Sequence, residues 1–433
     1  MAARYAILVP RSRRRVCISP RRLRWSSMIG LKKYLLSAAV LVAALLTTMP
    51  LVAQESAAAE SYSFNHGPYL QALSYDGVTI CFSTSHRGFS GVELRVKGSD
   101  EKQLYRTSKD GLFEADNTFN AIRIDGLSAA TEYEYRLTSK RMLSFEPYKV
   151  VFGEEITSPW YSFRTFDPAA DEVTFVVAND IHDDAQKCAA LLDLMPMQEV
   201  DMVFYNGDIM SHFSREGQPF TSFIDVSVDR FARHKPFAVV RGNHETRGHL
   251  AREYGDYIHN TREGRYYGVY YFGSTAVVML DCGEDKDDEH PVYAGLVDFD
   301  NYRREQAEWL KGVVKSKAFR RAKHRIAIVH IPPTVERMAE VEENKKRVAD
   351  LMTWRGNAHL GELMLPILNE ADINVMFSAH LHDYAVFPRQ EGVVEFPIIA
   401  NDNVSAMLVR VNAEGVHVKI VNRDGRTTHE KTY

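Results

Sequence analysis

The sequence predicts two architectures in series: an all-β sandwich over residues 62–166, then an α/β domain over residues 172–430. Three observations carry this. From Pro68 to Phe166 short alternating apolar/polar runs are separated by turn residues, which is the rhythm of a sandwich. The stretch "FDPAAD" (Phe166–Asp171) then interrupts the pattern with a proline and acidic residues. Beyond it, continuous apolar runs of strand length alternate with helical stretches such as "DAQKCAALLDLM" and "YRREQAEWLKGVVKSKA", the pattern of strands covered on both faces.

Residues 1–53 stand apart from both domains. They hold ten Lys or Arg and no Asp or Glu, and Lys32 and Lys33 precede the apolar run "YLLSAAVLVAALL". Small residues follow, ending in "LVA" at Leu51–Ala53. This is the anatomy of a secretory signal peptide, and a start at Met28 gives it the usual length. The sequence therefore predicts an exported protein, periplasmic or extracellular. The alternative is an uncleaved anchor, since Tyr34–Ala53 is long enough to span a bilayer; membrane attachment is expected only in that case. Removing residues 1–53 moves the formal net charge from −4 to −14. So acidic a chain is expected to be a poor general binder of nucleic acid, whose affinity comes from clustered Lys and Arg, with a local basic site as the alternative. Of Cys17, Cys81, Cys188 and Cys282, three remain after cleavage; they form no CxxC pair, and buried thiols are expected.

In the first domain the strands are expected at Gly77–Thr84, Gly91–Ser99, Phe119–Leu127, Thr131–Ser139 and Tyr161–Phe166. "LSAATEYEYR" (Leu127–Arg136) resembles the tyrosine corner of fibronectin type III domains, where a tyrosine hydroxyl satisfies backbone at the sandwich edge. An ordinary amphipathic strand is the equal alternative. In the second domain five strands are expected, "EVTFVVAND", "VDMVFYNGD", "KPFAVVRGNHE", "HRIAIVHIPP" and "INVMFSAHLH". A closing hairpin is expected with its turn at Asn412–Gly415.

Each of those five strands ends in metal-ligand residues: Asp180 and His182, Asp208, Asn243 and His244, His330, His380 and His382. Ligands of open α/β sheets bind beyond the carboxyl ends of strands, so these side chains are expected to converge. A single Asp or Asn after a strand is ordinarily a turn former or cap. A single His is ordinarily a surface residue. Those readings have to hold five times at the same end of a strand. Imidazole and carboxylate together suit Zn, Fe or Mn better than Ca or Mg. The number of ligands fits two divalent or trivalent cations, roughly 3.5–4 Å apart with a shared carboxylate. Gly207 and Gly242 precede the ligands where the backbone has to turn sharply.

The series "DIH", "NGD", "GNHE", "VH" and "AHLH" resembles the calcineurin-like metallophosphoesterases, with the pattern D-x-H, G-D, G-N-H-D/E, H and G-H-x-H. The sandwich ahead of it is similar to that of purple acid phosphatases. The resemblance implies a four-layer αββα domain. It implies that Asp180, His182 and His382 hold one metal, that Asn243, His330 and His380 hold the other, and that Asp208 bridges them. It further implies hydrolysis of small or macromolecular phosphate esters by a metal-bridging hydroxide, with His244 as general acid. Phosphodiesterase, nuclease and nucleotidase activities are alternatives on the same fold, and a surface binding protein using the domain as scaffold is the alternative of another class.

Two departures stand out. Ala379 replaces the usual Gly of the last motif. His182 is present and Ser211 stands where purple enzymes carry a tyrosine ligand, so the metal site follows the general family rather than the purple one. Around the motifs, Arg241, Arg247 and His212 are candidate substrate contacts, each with an ion-paired or solvated alternative. Asp183 and Asp184 are expected to brace the site or cap a helix. "DCGEDKDDEH" (Asp281–His290) is expected to be a solvated loop, or else the rim of the pocket.

Overall fold

The computed structural model describes residues 61–433, so the predicted signal segment at 1–53 lies outside the described residues. The first nine strands are β1 (Phe64–Gln71), β2 (Gly77–Val96), β3 (Gln103–Tyr105), β4 (Ser108–Lys109), β5 (Leu112–Phe113), β6 (Asn117–Asp125), β7 (Glu132–Glu146), β8 (Lys149–Thr157) and β9 (Tyr161–Arg164). Strand β2 corrects the sequence reading, which placed two strands at 77–84 and 91–99. The polar run "TSHRG" looks like a turn, yet its backbone stays extended. The first half of β2 pairs with β1 and β6, and the second half with β3 and β7. One strand thus serves both layers. Their inner faces interlock, with Val78, Ile80, Phe82 and Ile124 against Val92, Leu94, Leu137 and Phe163.

Two neighbouring tyrosines of β7 take different tasks. Tyr133 Oη accepts the Ser128 N–H at 2.8 Å at the corner that leads into β7. Tyr135 Oη reaches out of the sandwich and donates to the Arg233 carbonyl at 2.8 Å. Replacing Tyr133 with Phe strands the Ser128 N–H and is expected to cost about 1 kcal/mol. A urea unfolding midpoint indistinguishable from that of the native chain would refute this account of the corner.

The second half holds β10 (Val173–Ala178), β11 (Met202–Asn206), β12 (Phe237–Val240), β13 (Gly268–Phe272), β14 (Thr275–Leu280), β15 (His324–Val329), β16 (Val375–Ser378), β17 (Ala385–Phe387), β18 (Ile398–Ala400), β19 (Ser405–Asn412), β20 (Gly415–Asn422) and β21 (Thr427–Thr432). They form two six-stranded sheets, ordered β12-β11-β10-β19-β20-β21 and β13-β14-β15-β16-β18-β17. Asn412 faces Gly415 across the turn of the last predicted hairpin.

Alternate residues of each strand face opposite layers, which is why the runs read as continuously apolar. Phe175, Val177, Phe204 and Val240 of one sheet meet Val277, Met279, Ile328 and Phe377 of the other. Val176, Val203, Tyr205 and Val239 point outward, in one core with residues of the helix Ala185–Asp193 and the helical segment Phe220–Ala232. Ala276, Val278, Val329 and Met376 do the same with the helices Phe299–Lys315 and Arg355–Asn369. The result is four layers, αββα.

The sandwich and the α/β layers belong to one compact unit, Ser61–Tyr433. Tyr69 Oη donates to the Tyr257 carbonyl at 2.9 Å, and the Gln71 side chain accepts the His259 N–H at 2.7 Å. Cys81, Cys188 and Cys282 are buried free thiols. No helix among the described residues is long and apolar enough to cross a membrane.

Candidate metal centre

The carboxyl ends of β10, β11 and β12 in one sheet and of β15 and β16 in the other bring Asp180, His182, Asp208, His244, His330, His380 and His382 together. The loops that do this are conformationally costly. Asp180, His182, Asp208, His380 and His382 have φ of 51°, 53°, 52°, 68° and 53°. Each is left-handed backbone that a residue with a side chain adopts at a cost of about 1–2 kcal/mol. Such strain persists where the surrounding structure imposes it, and it clusters at functional sites. The two glycines have a steric task as well. Gly207 has φ +79°, and a Cβ there would collide with the His330 ring; a Cβ on Gly242 would collide with the Asp208 carboxylate.

The ligand atoms form overlapping groups, each with all its atoms within 4.8 Å of one another: Asp180, His182 and His382; Asp208, His330 and His380; and His182, Asp208 and His244. His182 Nε2 and His382 Nε2 are 3.1 Å apart and lie 3.7 and 3.1 Å from Asp180 Oδ1. His330 Nε2 lies 3.0 Å from Asp208 Oδ2. Asp180 Oδ1, Asn243 Oδ1 and His330 Nε2 are buried and have no partner in hydrogen-bonding geometry. Buried polar atoms are almost always paired. Three orphans among converging oxygen and nitrogen donors fit cations as the missing partners, and the clusters suggest a dinuclear centre. Zn, Fe and Mn all accept this donor set.

Other groups hold the ligands in orientation. His330 Nδ1–H donates to the Asn206 carbonyl at 2.7 Å, which turns Nε2 inward. His244 Nδ1–H does the same with the Ser211 carbonyl at 2.7 Å. Asp180 Oδ2 accepts from Asn179 Nδ2 at 2.7 Å, and Asp208 Oδ1 from the His244 N–H at 3.0 Å. The buried Glu245 carboxylate accepts the backbone N–H groups of Asp208, Met210 and Gly242, each at 2.9 Å, and so ties two ligand loops together. Burial, then the charge of Asp208, pushes Glu245 up to about 7. Burial opposes charge on His330, but Asp208 and Asp180 outweigh it and raise the imidazole to about 10. Burial and the His330 charge hold His380 down at about 4.

The candidate substrate contacts separate. Arg241 is committed elsewhere: Nε donates to the buried Asp281 Oδ2 at 2.8 Å, and the guanidinium lies 4.2 Å from the Tyr266 ring centroid. It is an ion-paired structural residue, because leaving Asp281 buried and alone would be costly. His212 is exposed, and its carbonyl accepts from the Gln218 side chain at 2.6 Å. Arg247 does reach the site, donating from Nη1 to His244 Nε2 at 3.1 Å.

Asp184 caps the helix at Ala185 by accepting the Lys187 N–H at 2.9 Å, whereas Asp183 braces the Ser211 loop through the Ser211 N–H at 2.9 Å. The Asp281–His290 loop is not simply solvated. Asp281, Glu284 and Asp285 are buried, and Glu284 grips Arg247 and Thr246.

Sequence reasoning missed Asn179, Glu245 and Glu284 as supports. Glu245 lies inside "GNHE", and its lack of any place on a metal was the available signal. Nothing local marks Glu284, because its partner is 37 residues away. Ser211, at the position of the purple enzymes' tyrosine, offers the site a carbonyl rather than a phenolate. Protein loaded with ferric iron is therefore expected to show no tyrosinate charge-transfer band in the visible. An intense purple colour would overturn this ligand assignment.

A family model described as calcineurin-like phosphoesterase matches residues 173–384. Among solved structures, the purple acid phosphatase PPD1 from yellow lupin (Lupinus luteus) seeds aligns with a TM-score of 0.60 at 12% identity, covering 84% of this chain and 73% of that one. A structure described as PhoD aligns with a TM-score of 0.54 at 12% identity, covering 86% of this chain and 94% of that one. No curated protein sequence matches. Residues 173–384 are a calcineurin-like phosphoesterase domain.

Proposed function

We propose that the protein is an exported hydrolase of phosphate esters built on a two-metal centre. One observation carries the reading: five strand ends from two different sheets bring Asp180, His182, Asp208, His244, His330, His380 and His382 into overlapping ligand groups, while Asp180, His330 and Asn243, the neighbour of His244, each keep a buried polar atom without a partner. Asp180, His182 and His382 would hold one cation, and Asn243, His330 and His380 the other, with Asp208 shared. Bound there, the cations would supply Lewis acidity toward phosphoryl oxygens and a water activated near neutral pH.

The chain's own contribution centres on His244. Its Nδ1–H is fixed on the Ser211 carbonyl, and its Nε2 lies 3.9 Å from Asp208 Oδ2, facing the cluster. Nε2 is the atom that faces a departing alkoxide, and it gives up a proton there only after taking one from solvent, because the neutral imidazole carries its hydrogen on Nδ1. Burial lowers the pKa of this imidazole, and its Nε2 currently accepts from Arg247, so that partner must give way to a substrate oxygen.

Purified mature protein, reconstituted with Fe, Mn or Zn and assayed against phosphomonoesters and phosphodiesters, tests the proposal. About two ions per chain and hydrolysis of at least one ester class are expected. A folded protein that takes up no metal would instead support the scaffold reading. The acidic balance of the mature chain weighs against polynucleotide substrates. Export rests on residues 1–53, and sequencing the amino terminus of protein recovered outside the cytoplasm tests it.

A further inference from the structure

Arg247 is held in an unusual way. Its Nε and Nη2 form two parallel hydrogen bonds, each 2.9 Å, with the two oxygens of Glu284. Glu284 is buried, with a side-chain exposure of 1% against 32% for Arg247. Thr246 Oγ1 also donates to Glu284 Oε1, at 2.9 Å. A carboxylate anchored below the surface therefore grips one edge of the guanidinium and leaves the other edge outward. Nη1, which Glu284 does not hold, donates to His244 Nε2 at 3.1 Å, and His244 stands in a ligand group with His182 and Asp208. A planar guanidinium fixed by a bidentate carboxylate loses little further entropy when its remaining donor binds an anion.

We propose that Arg247 Nη1 is the protein's donor to a phosphoryl oxygen of the substrate, and that Glu284 is the positioning residue that presents it. This deepens the hydrolase reading and rests on it for the identity of the ligand. On binding, Nη1 exchanges its hydrogen bond to the imidazole for one to the phosphoryl group. The same exchange frees His244 Nε2 to face the leaving oxygen. A purely structural ion pair, joining the turn at His244–Thr246 to the Asp281–His290 loop, is the competing account.

Orthophosphate binding to metal-loaded protein, followed by calorimetry, separates the two. Arg247→Met keeps the stem and removes only the donors. It is expected to weaken orthophosphate about tenfold or more, and to raise KM for esters by a similar factor, with two ions per chain retained. Arg247→Lys is expected to restore part of the affinity, and Glu284→Gln to give an intermediate loss. An orthophosphate affinity within twofold of the native value in Arg247→Met, or equal in the Lys and Met variants, overturns the proposal even if both melt at lower temperature. Native protein that binds orthophosphate through Arg247 but cleaves no ester leaves this assignment standing and removes the hydrolase reading instead.

Discussion

Replacing Asp208 with asparagine is expected to lower metal content below two ions per chain and to reduce kcat/KM by about 10³-fold or more, roughly 4 kcal/mol of barrier. The substitution is nearly isosteric, so the αββα core around it is undisturbed. What it removes is the charge placed to be shared. Asp208 Oδ2 sits 3.0 Å from His330 Nε2 and belongs to two of the three ligand groups. The amide leaves neither cation site with its full negative charge. The fold is expected to survive, because Glu245 still holds the loop through the backbone N–H of residue 208. Elemental analysis, steady-state kinetics and circular dichroism on one preparation check all three parts. Two tightly bound ions together with activity within tenfold of native would dismiss Asp208 as the bridge.

The second large effect is expected at His244. Alanine there removes the imidazole and its hydrogen bonds to Ser211 and Arg247 but none of the proposed metal ligands. Turnover of an alkyl phosphate is expected to fall by about 10²–10⁴-fold, the range for a lost general acid. Metal content is expected to stay near two per chain. An ester with an acidic leaving group needs less protonation and is expected to lose less. A uniform loss across leaving groups assigns His244 to binding; no loss at all means the role is misplaced.

These two residues were also the most legible in the sequence. Asp208 and His244 each follow an apolar run and a glycine, a pattern that survives without tertiary information. The strands β10, β11, β12, β15 and β16 were legible for the same reason. Their division between two sheets was not, because a strand buried on both faces looks the same in either sheet. Strands β13, β17, β18 and β21 went unseen: β17 and β18 are only three residues long, β13 alternates weakly, and β21 is almost wholly polar. Arg241 and Arg247 flank one motif symmetrically, yet their partners, Asp281 and Glu284, lie 40 and 37 residues downstream. Only the folded chain distinguishes a guanidinium committed to the interior from one turned toward the site.

The two-sheet origin of the site also bears on how the protein endures. Each proposed cation would draw donors from both halves of the core, Asp180 and His182 with His382, and Asn243 with His330 and His380. By this assignment neither sheet supplies a full ligand set alone, so bound metals would act as rivets across the seam. Chelation should loosen the whole core rather than a single loop, and the melting temperature should climb with free metal concentration as mass action demands.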